Sequence, residues 1–425
     1  MTTGSIYEIE YSNRPTYPTP DGQIDADIAI IGGGLTGISA ALTLAEAGIK
    51  AVVLEAGAIG DGGSGRNGGH LCQGWPNDFD RISRQLGPAE ADIAWQAGMD
   101  AVELVKQRIA RYSIDCDLTF GYLHAALHRR QMRGLDSMQA AWEARGYEHF
   151  TCLGDKVALS EHIGSDAYVG ALHDTGCGHI QPLKYLHGLA RAATLLGADI
   201  YEQAPVKKIL RGPRKTLVIE GGASVNTPVV MLCGNAYLAD VALPNMRRRL
   251  APVTSSILAT KPLSENMVTQ LLPTGAAVAD ENAALNYYRI DGLNRMIFGG
   301  RASYTNVDFG DVEMDLRHRM TDVFPILADA ETEQVWSGRI GITVNRIPHF
   351  GRTDDDIYFV QGFSGHGVAL SGQAGAMLAR AVIGDSTEFD VMSRLTHMPF
   401  PGGPLRTPAL ALGMAWYKLR DRLKL

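Results

Sequence analysis

Gly32, Gly34, Gly37 and Glu55 are the residues whose types and spacing point first to chemistry. Asp27-Ile28-Ala29-Ile30-Ile31 is an apolar run that turns on Gly32-Gly33-Gly34-Leu35-Thr36-Gly37. An Ala/Leu-rich stretch then runs to Gly48, and Ala51-Val52-Val53-Leu54-Glu55 is apolar again. This predicts strand, tight turn, helix and strand. Gly32 permits the sharp turn, Gly34 lets backbone approach a pyrophosphate, and Gly37 lets the helix pack close to the strand. Leu35 and Thr36 open the helix with unpaired N–H groups and a partial positive charge facing the phosphates. Glu55, with Ala56 beside it, follows Gly34 by about 20 residues, the offset at which a carboxylate reaches an adenosine ribose. In this β-turn-α-β setting the pattern reads as a dinucleotide site.

Two further stretches carry the same kind of signal. The run from Gly57 to His70 is too rich in glycine for a helix or strand, yet it holds Ser64, Arg66 and Asn67 among Gly65, Gly68 and Gly69. A flexible linker would show the glycines, but backbone hugging a flat ring system needs both close approach and a few fixed donors. Near the other end, an apolar run from Ile357 leads to Gly362-Phe363-Ser364-Gly365-His366-Gly367 and a small-residue helix over 368–383. The apolar stretch from Val229 ends in Gly234-Asn235-Ala236, a turn at the C-terminal edge of a parallel sheet, where ligands bind in such folds.

The elements that must hold these turns follow from periodicity. Residues 1–24 carry Pro15, Pro18 and Pro20 and read as an arm on the surface. Helical spacing spans 78–111 and 129–145, a β-like pattern lies near 118–128, and 198–210 reads as a strand returning to the nucleotide sheet. The segment from Gly178 through Pro182 opens another helix. From Pro252 to about 335 the pattern alternates, with strands expected at 256–260, 286–290 and 295–300, as in a largely antiparallel sheet with one face covered. The expected class is α/β (α+β overall): a Rossmann-like nucleotide domain (1–111, 176–247, 336–390) interrupted by a mainly antiparallel-sheet substrate domain (112–175, 248–335), with a tail at 391–425. The tail is Pro-rich and then basic and amphipathic, suiting a helix packed on the body or, less well, a membrane surface.

With 425 residues the chain exceeds one simple core. Apolar residues at 45% and charged residues at 20% exclude a disordered chain. The net charge of −7 gives nucleic acid no footing. Cys72, Cys116, Cys152, Cys177 and Cys233 are scattered, without a C-x-x-C pair, so free thiols are expected rather than a disulfide framework or a metal site. Neither a secretory leader nor an apolar run of spanning length is evident, so a cytoplasmic protein is expected.

The three glycine motifs together resemble the D-amino-acid-oxidase/sarcosine-oxidase family of FAD enzymes. Ser64-Gly65-Arg66-Asn67-Gly68-Gly69, Phe298-Gly299-Gly300-Arg301, Asn345-Arg346-Ile347-Pro348 and the stretch from Phe400 to Pro408 look like its γ-glutamylputrescine oxidoreductase branch. The similarity covers nearly the whole chain. It implies FAD with its pyrophosphate at Gly32 to Gly37, its ribose at Glu55 and its adenine near Val206. The isoalloxazine is then placed between Ser64 to Gly69 and Gly362 to Gly367, with Gly341 as a further contact. Ile340 aligns with the cysteine that carries the flavin in sarcosine oxidase, so non-covalent FAD is expected. The substrate-carboxylate lysine of that enzyme aligns with Ala369, which favours an amine over a simple α-amino acid. Its oxygen-activating lysine aligns with Ile297, which leaves O2 or another electron acceptor open.

The reaction so implied is oxidation of a primary or secondary amine to an imine, hydrolysed to an aldehyde, with O2 reduced to peroxide. The alternative is a dehydrogenase of a secondary or D-amino acid that hands electrons to a quinone or carrier. The N-terminus of the 367–383 helix would supply a fixed positive dipole where charge develops. His366 is expected over the ring or as a cap, and Arg66 either offsets charge or binds carbonyls of its own loop. Tyr287, Tyr288 and Trp336 are candidate walls of an amine pocket, or core. Arg289 and Arg301 are candidates to hold a distal carboxylate bidentately, or are salt-bridged on their sheet. His349 reads as structural, Asp354-Asp355-Asp356 as a solvated turn and Arg247-Arg248-Arg249 as an exposed loop.

Overall fold

The computed structural model describes residues 4–76, 79–238, 241, 243–303 and 311–401. The expected basic tail beyond 401 lies outside them.

Apolar runs too short for helices become the strands of a six-stranded sheet. Its order is His349–Arg352, Ile357–Gln361, Val229–Leu232, Ile28–Ile31, Ala51–Leu54, Asp199–Tyr201. All neighbours are parallel except the first pair. Both faces are covered, which is why these strands read as unbroken apolar runs rather than as alternation. Ile28 and Ile30 face a helical layer, whereas Ala29 and Ile31 face a four-stranded sheet built around 206–227. In the helical layer, Leu35–Glu46 and Gly367–Val382 cross closely: a Cβ on Gly375 would lie 2.1 Å from the Thr36 carbonyl oxygen. Ser39 there donates to the Gly372 carbonyl.

A nine-stranded sheet makes the second layer system. In order it contains Thr332–Ile342, Ala251–Thr260, Met296–Ser303, Tyr287–Ile290, Ala277–Asp280, Thr119–Ala126, Gly170–His179 and His70–Leu71, with Phe150–Leu153 paired to Gly170–His179. Every pairing is antiparallel except that of Ala277–Asp280 with Thr119–Ala126. The fold is therefore a mixed α/β architecture in which a mostly parallel nucleotide sheet adjoins a mainly antiparallel one. The two meet at the glycine-rich stretch, because the chain leaves the first sheet at Leu54 and enters the second at His70.

Three local expectations are corrected. The N-terminal arm is not confined to the surface: Ile6–Glu10 is helical, and Ser5, Ile6 and Tyr7 are fully buried. Ser5 and Glu8 form a reciprocal capping box, which satisfies N-terminal N–H groups and allows so short a helix to persist. The stretch 198–210 splits: Asp199–Tyr201 joins the nucleotide sheet, while Val206–Leu210 joins the four-stranded sheet. Arg247, Arg248 and Arg249 end a helix, Pro244–Arg249, where cations face the negative end of the dipole.

Candidate functional site

Strands Ile28–Ile31, Ala51–Leu54, Val229–Leu232 and Ile357–Gln361 all deliver their C-terminal ends to one edge, and a cleft of about 480 Å³ opens there. Of the expected cofactor residues, Gly32, Gly34, Leu35, Thr36, Glu55, Ala56, Ser64, Asn67, Val206, Gly234, Asn235, Gly341, Phe363, Ser364, Gly365 and Gly367 line it. Gly37, Gly65, Arg66, Gly68, Gly69, Gly362 and His366 are not part of that lining.

The glycines act through backbone geometry. Gly32 has φ +111°, and a Cβ there would come 2.9 Å from the Gly234 nitrogen. A Cβ on Gly37 would lie 1.9 Å from the Gly32 carbonyl oxygen, so this residue sets the approach of the helix to its strand. At Gly34 a Cβ would occupy space 2.7 Å from Ser64 Oγ, which accepts the Leu35 N–H at 2.9 Å. Glu55 closes the same corner: its two oxygens accept from the N–H groups of Gly33 (2.7 Å) and Gly57 (3.0 Å), while burial raises its carboxyl above the usual range. On the opposite wall Asn235 Oδ1 accepts the Gly362 N–H at 2.9 Å, pinning two strand ends together. A narrow cradle with a helix N-terminus and a carboxylate at one end suits an extended dinucleotide. The second helix N-terminus, at Gly367, adds backbone donors at the end expected to meet a flat ring.

The glycine-rich stretch is held by its own side chains. Asn67 Nδ2 donates to the carbonyls of Gly63 and Ser64 (3.0 and 2.8 Å), and its Oδ1 accepts the Gly69 N–H (2.8 Å). Arg66 Nε donates to the Asp61 carbonyl at 2.8 Å, and its guanidinium pairs with Glu8 at 3.1 Å. The arginine thus binds a carbonyl of its own loop. Gly65 and Arg66 are also tied to the N-terminal helix, since Ser5 Oγ donates to the Gly65 carbonyl at 3.1 Å.

His366 is the N-cap residue of Gly367–Val382. Its Nε2 lies 2.9 Å from the Gln73 carbonyl, an acceptor, so Nε2 carries the proton. Burial pushes its pKa down to about 4, and the same cause holds His70 near 4. Both rings are neutral at pH 7.

Two expected pocket walls are corrected. Tyr288 faces the far side of its sheet: fully buried, it stacks on Phe298 at 5.5 Å and donates to Tyr168 Oη at 3.0 Å. The residue on the near face is Tyr287, because successive side chains alternate. Its ring lies over Gly299, where a Cβ would come within 2.1 Å, and its hydroxyl meets Ser255 at 3.1 Å. Trp336 is 1% exposed and packs edge-on against Tyr7 at 5.6 Å, its indole N–H donating to the Arg66 carbonyl at 3.0 Å. It supports the glycine loop from beneath rather than lining an open pocket. Arg289 is engaged too, with Nε donating to the Gly68 carbonyl (2.7 Å) and Nη2 to Tyr7 Oη (3.2 Å). The Arg301 side chain lies outside the described residues. His349 is half-buried against Phe359 and His397 and held neutral near pKa 3, as a structural histidine.

Sequence reasoning missed the N-terminal helix, though Ser5-x-x-Glu8 is the capping-box signal that marks one. It also missed Tyr237, which lines the cleft and accepts the Arg339 N–H at 2.9 Å.

Comparison with known proteins places these features in context. Residues 27–381 match the family model described as DAO, FAD dependent oxidoreductase. The chain is 38% identical to the gamma-glutamylputrescine oxidoreductase of Escherichia coli over 422 residues, 99% of both chains. It is 37% identical to the probable oxidoreductase OrdL of Haemophilus influenzae, covering 98% of this chain and 97% of that one. Among solved structures, glycine oxidase from Geobacillus kaustophilus superposes with a TM-score of 0.72 at 23% identity, over 88% of this chain and all of that one. The L-proline dehydrogenase of P. horikoshii also gives 0.72, at 20% identity, over 87% and 96% of the two chains. At those identities the structures attest the fold.

Proposed function

The chain belongs to the DAO family of FAD-dependent oxidoreductases, and on that premise we propose that it oxidises a primary or secondary amine of the γ-glutamylputrescine type to an imine. Water releases the aldehyde, and O2 takes the electrons to give H2O2. The same reading holds FAD without a covalent bond, since Ile340 stands in the cleft wall. It places the enzyme in the cytoplasm; no helix among the described residues is long and apolar enough to cross a membrane. It also keeps two interleaved domains with seams at 111, 247 and 390; the expected seams at 175 and 335 fall inside Gly170–His179 and Thr332–Ile342 of the nine-stranded sheet and move to the ends of those strands.

Gly32 to Thr36 and Glu55 would hold the adenosine diphosphate part, with Ser64, Asn67, Gly341 and Phe363 to Gly367 around the ring. When bound, FAD supplies the two-electron acceptor for the C–H bond next to the amine nitrogen. The chain's residues contribute electrostatics and selection. Backbone N–H groups at Gly367 and Val368 present a preorganised positive end without an ionisable group. His366, neutral and fixed on the Gln73 carbonyl, adds no charge that would repel an alkylammonium on arrival.

The observation that carries the reading is the commitment of the arginines. Arg66 is paired with Glu8, and Arg289 serves Gly68 and Tyr7. Among the described residues around the glycine loop, neither guanidinium is turned to a substrate α-carboxylate, and burying such a group unpaired is costly. An amine with no carboxylate on its reacting carbon meets no such penalty, and the glutamyl carboxylate of γ-glutamylputrescine lies at the far end of that molecule. The relative's name, gamma-glutamylputrescine oxidoreductase, supports the same class of substrate.

Turnover tests it. With γ-glutamylputrescine in air, aldehyde trapped as a hydrazone and peroxide measured enzymatically are expected in equal amounts. Sarcosine or D-alanine turning over faster than every amine would contradict the reading.

A further inference from the structure

The face of the nine-stranded sheet that carries Tyr287 contains a trough. Its floor is Ala277–Asp280, whose Ala277 and Ala279 share that face with Tyr122 and Tyr287. In register, Tyr122 and His124 stand beside these alanines on one flank, and Tyr287 stands opposite Ala279 on the other. The flanks are two interstrand spacings apart, about 10 Å. Rings meet edge to face along the trough: His124 on Tyr122 at 4.9 Å, Tyr122 on His70 at 5.8 Å, His70 on Tyr287 at 5.6 Å.

His70 bridges both flanks and closes the end next to Gly68 and the glycine loop. Ala277 and Ala279 are both buried, while the His124 and Glu281 side chains keep 24% and 35% of their surface, so the accessible end is that of increasing residue number. At that open end stands Glu281, with Oε1 3.3 Å from His124 Nδ1 and a side chain 35% exposed. The floor from Ala277 to Glu281 is about 13 Å long. It is thus an aromatic-walled strip with a carboxylate at its outer end; behind its His70 end lies the Arg289 guanidinium, already committed to the Gly68 carbonyl and the Tyr7 hydroxyl, so the amine that reaches that end does so uncharged.

Resting on the amine-oxidation reading above, we propose that the substrate enters along this trough and that Glu281 is a specificity-determining residue selecting amines that carry a second positive charge, such as diamines. Aromatic faces attract an alkylammonium passing between them. Glu281, at the mouth, meets the distal cation once the reacting amine has reached the His70 end. Being partly solvated and remote from the reacting carbon, it acts on capture and not on the chemical step. Its effect therefore belongs in KM, with kcat unchanged.

The test compares Glu281→Gln, Glu281→Asp and wild-type holoenzyme on amines of matched length: 1,4-diaminobutane against butylamine and 1,8-diaminooctane against octylamine. Glu281→Gln is expected to raise KM for the diamines about fivefold, to leave monoamine KM and all kcat values within about twofold, and to keep the wild-type flavin content. Glu281→Asp, retaining the charge, is expected to restore most of the diamine preference. Equal effects on both series, or none, would overturn the role of Glu281 and leave amine oxidation standing. If no amine of either series reduces the wild-type flavin anaerobically, amine oxidation itself fails and this assignment with it.

Discussion

The two sheets make their contributions to the site in different currencies. The six-stranded sheet offers backbone: its strand ends place N–H groups and glycines, and a side chain at Gly32 or Gly37 would collide with main chain. The nine-stranded sheet offers side chains, chosen by which face each residue occupies. Tyr287 and Tyr288 are adjacent in sequence yet one lies over Gly299 beside the glycine loop and the other stacks on Phe298 in a separate core. The nucleotide half is therefore specified by local sequence, and the substrate half by register between distant strands.

Substitutions can sharpen that contrast. The largest effect is expected at Gly37→Ala, where the new methyl meets the Gly32 carbonyl and main chain must move. A loss of more than about 3 kcal/mol of stability is expected, with protein purified free of FAD; a flavin-replete, normally stable variant would break the backbone account. Gly299→Ala should be milder and different in kind. Its methyl displaces the Tyr287 ring, a side chain that can yield, so flavin content should stay normal while KM for amines rises about tenfold. Loss of FAD in this variant would show that the two halves are not separable in this way.

Acid should weaken both halves together. Burial depresses His349 to about 3 and His397 to about 4 at the edge of the nucleotide sheet, and His70 to about 4 and His179 to about 3 in the nine-stranded sheet. Between an unfolded pKa near 6.5 and these values, the unfolded chain binds more protons than the folded one. Stability is then fully present above about pH 6.5 and declines as pH falls toward 4. Burial raises the Asp280 carboxyl to about 7, which works in the opposite sense over the same range; the histidines outnumber it, so thermal unfolding from pH 7.5 to 5 should show Tm falling, and a Tm that rises as the pH drops would contradict this balance. The smallest effect is expected from Tyr288→Phe, which removes the hydrogen bond to Tyr168: about 1 kcal/mol of stability by denaturant titration, with amine KM unchanged. A changed KM would place Tyr288 at the substrate after all.

How much could be read from the sequence follows the same division. Gly32, Gly34, Thr36, Glu55, Asn235 and Gly365 all line the cleft because a turn, a close approach or a strand end is encoded within a few residues. Trp336 and Tyr288 read equally as pocket walls or core, because aromatic type is visible in sequence while face is not. Only the pairing of Ile257 with Trp336, and of Val278 with Tyr288, decides which way each side chain points. Arg66 was legible as a loop residue, but its partner Glu8 lies on a helix whose proline-rich flank suggested a surface arm. The trough needed three strands from separate parts of the chain, with Glu281 placed beyond the last floor residue.

The most direct test of amine oxidation at the junction of these halves is anaerobic mixing of the purified flavoprotein with γ-glutamylputrescine, followed by admission of oxygen. The account predicts bleaching of the visible flavin band by the amine, little bleaching by an equal concentration of sarcosine or D-alanine, and return of the band in air with peroxide formed. Bleaching by the amino acids alone, or recovery only after a quinone is added, would contradict it.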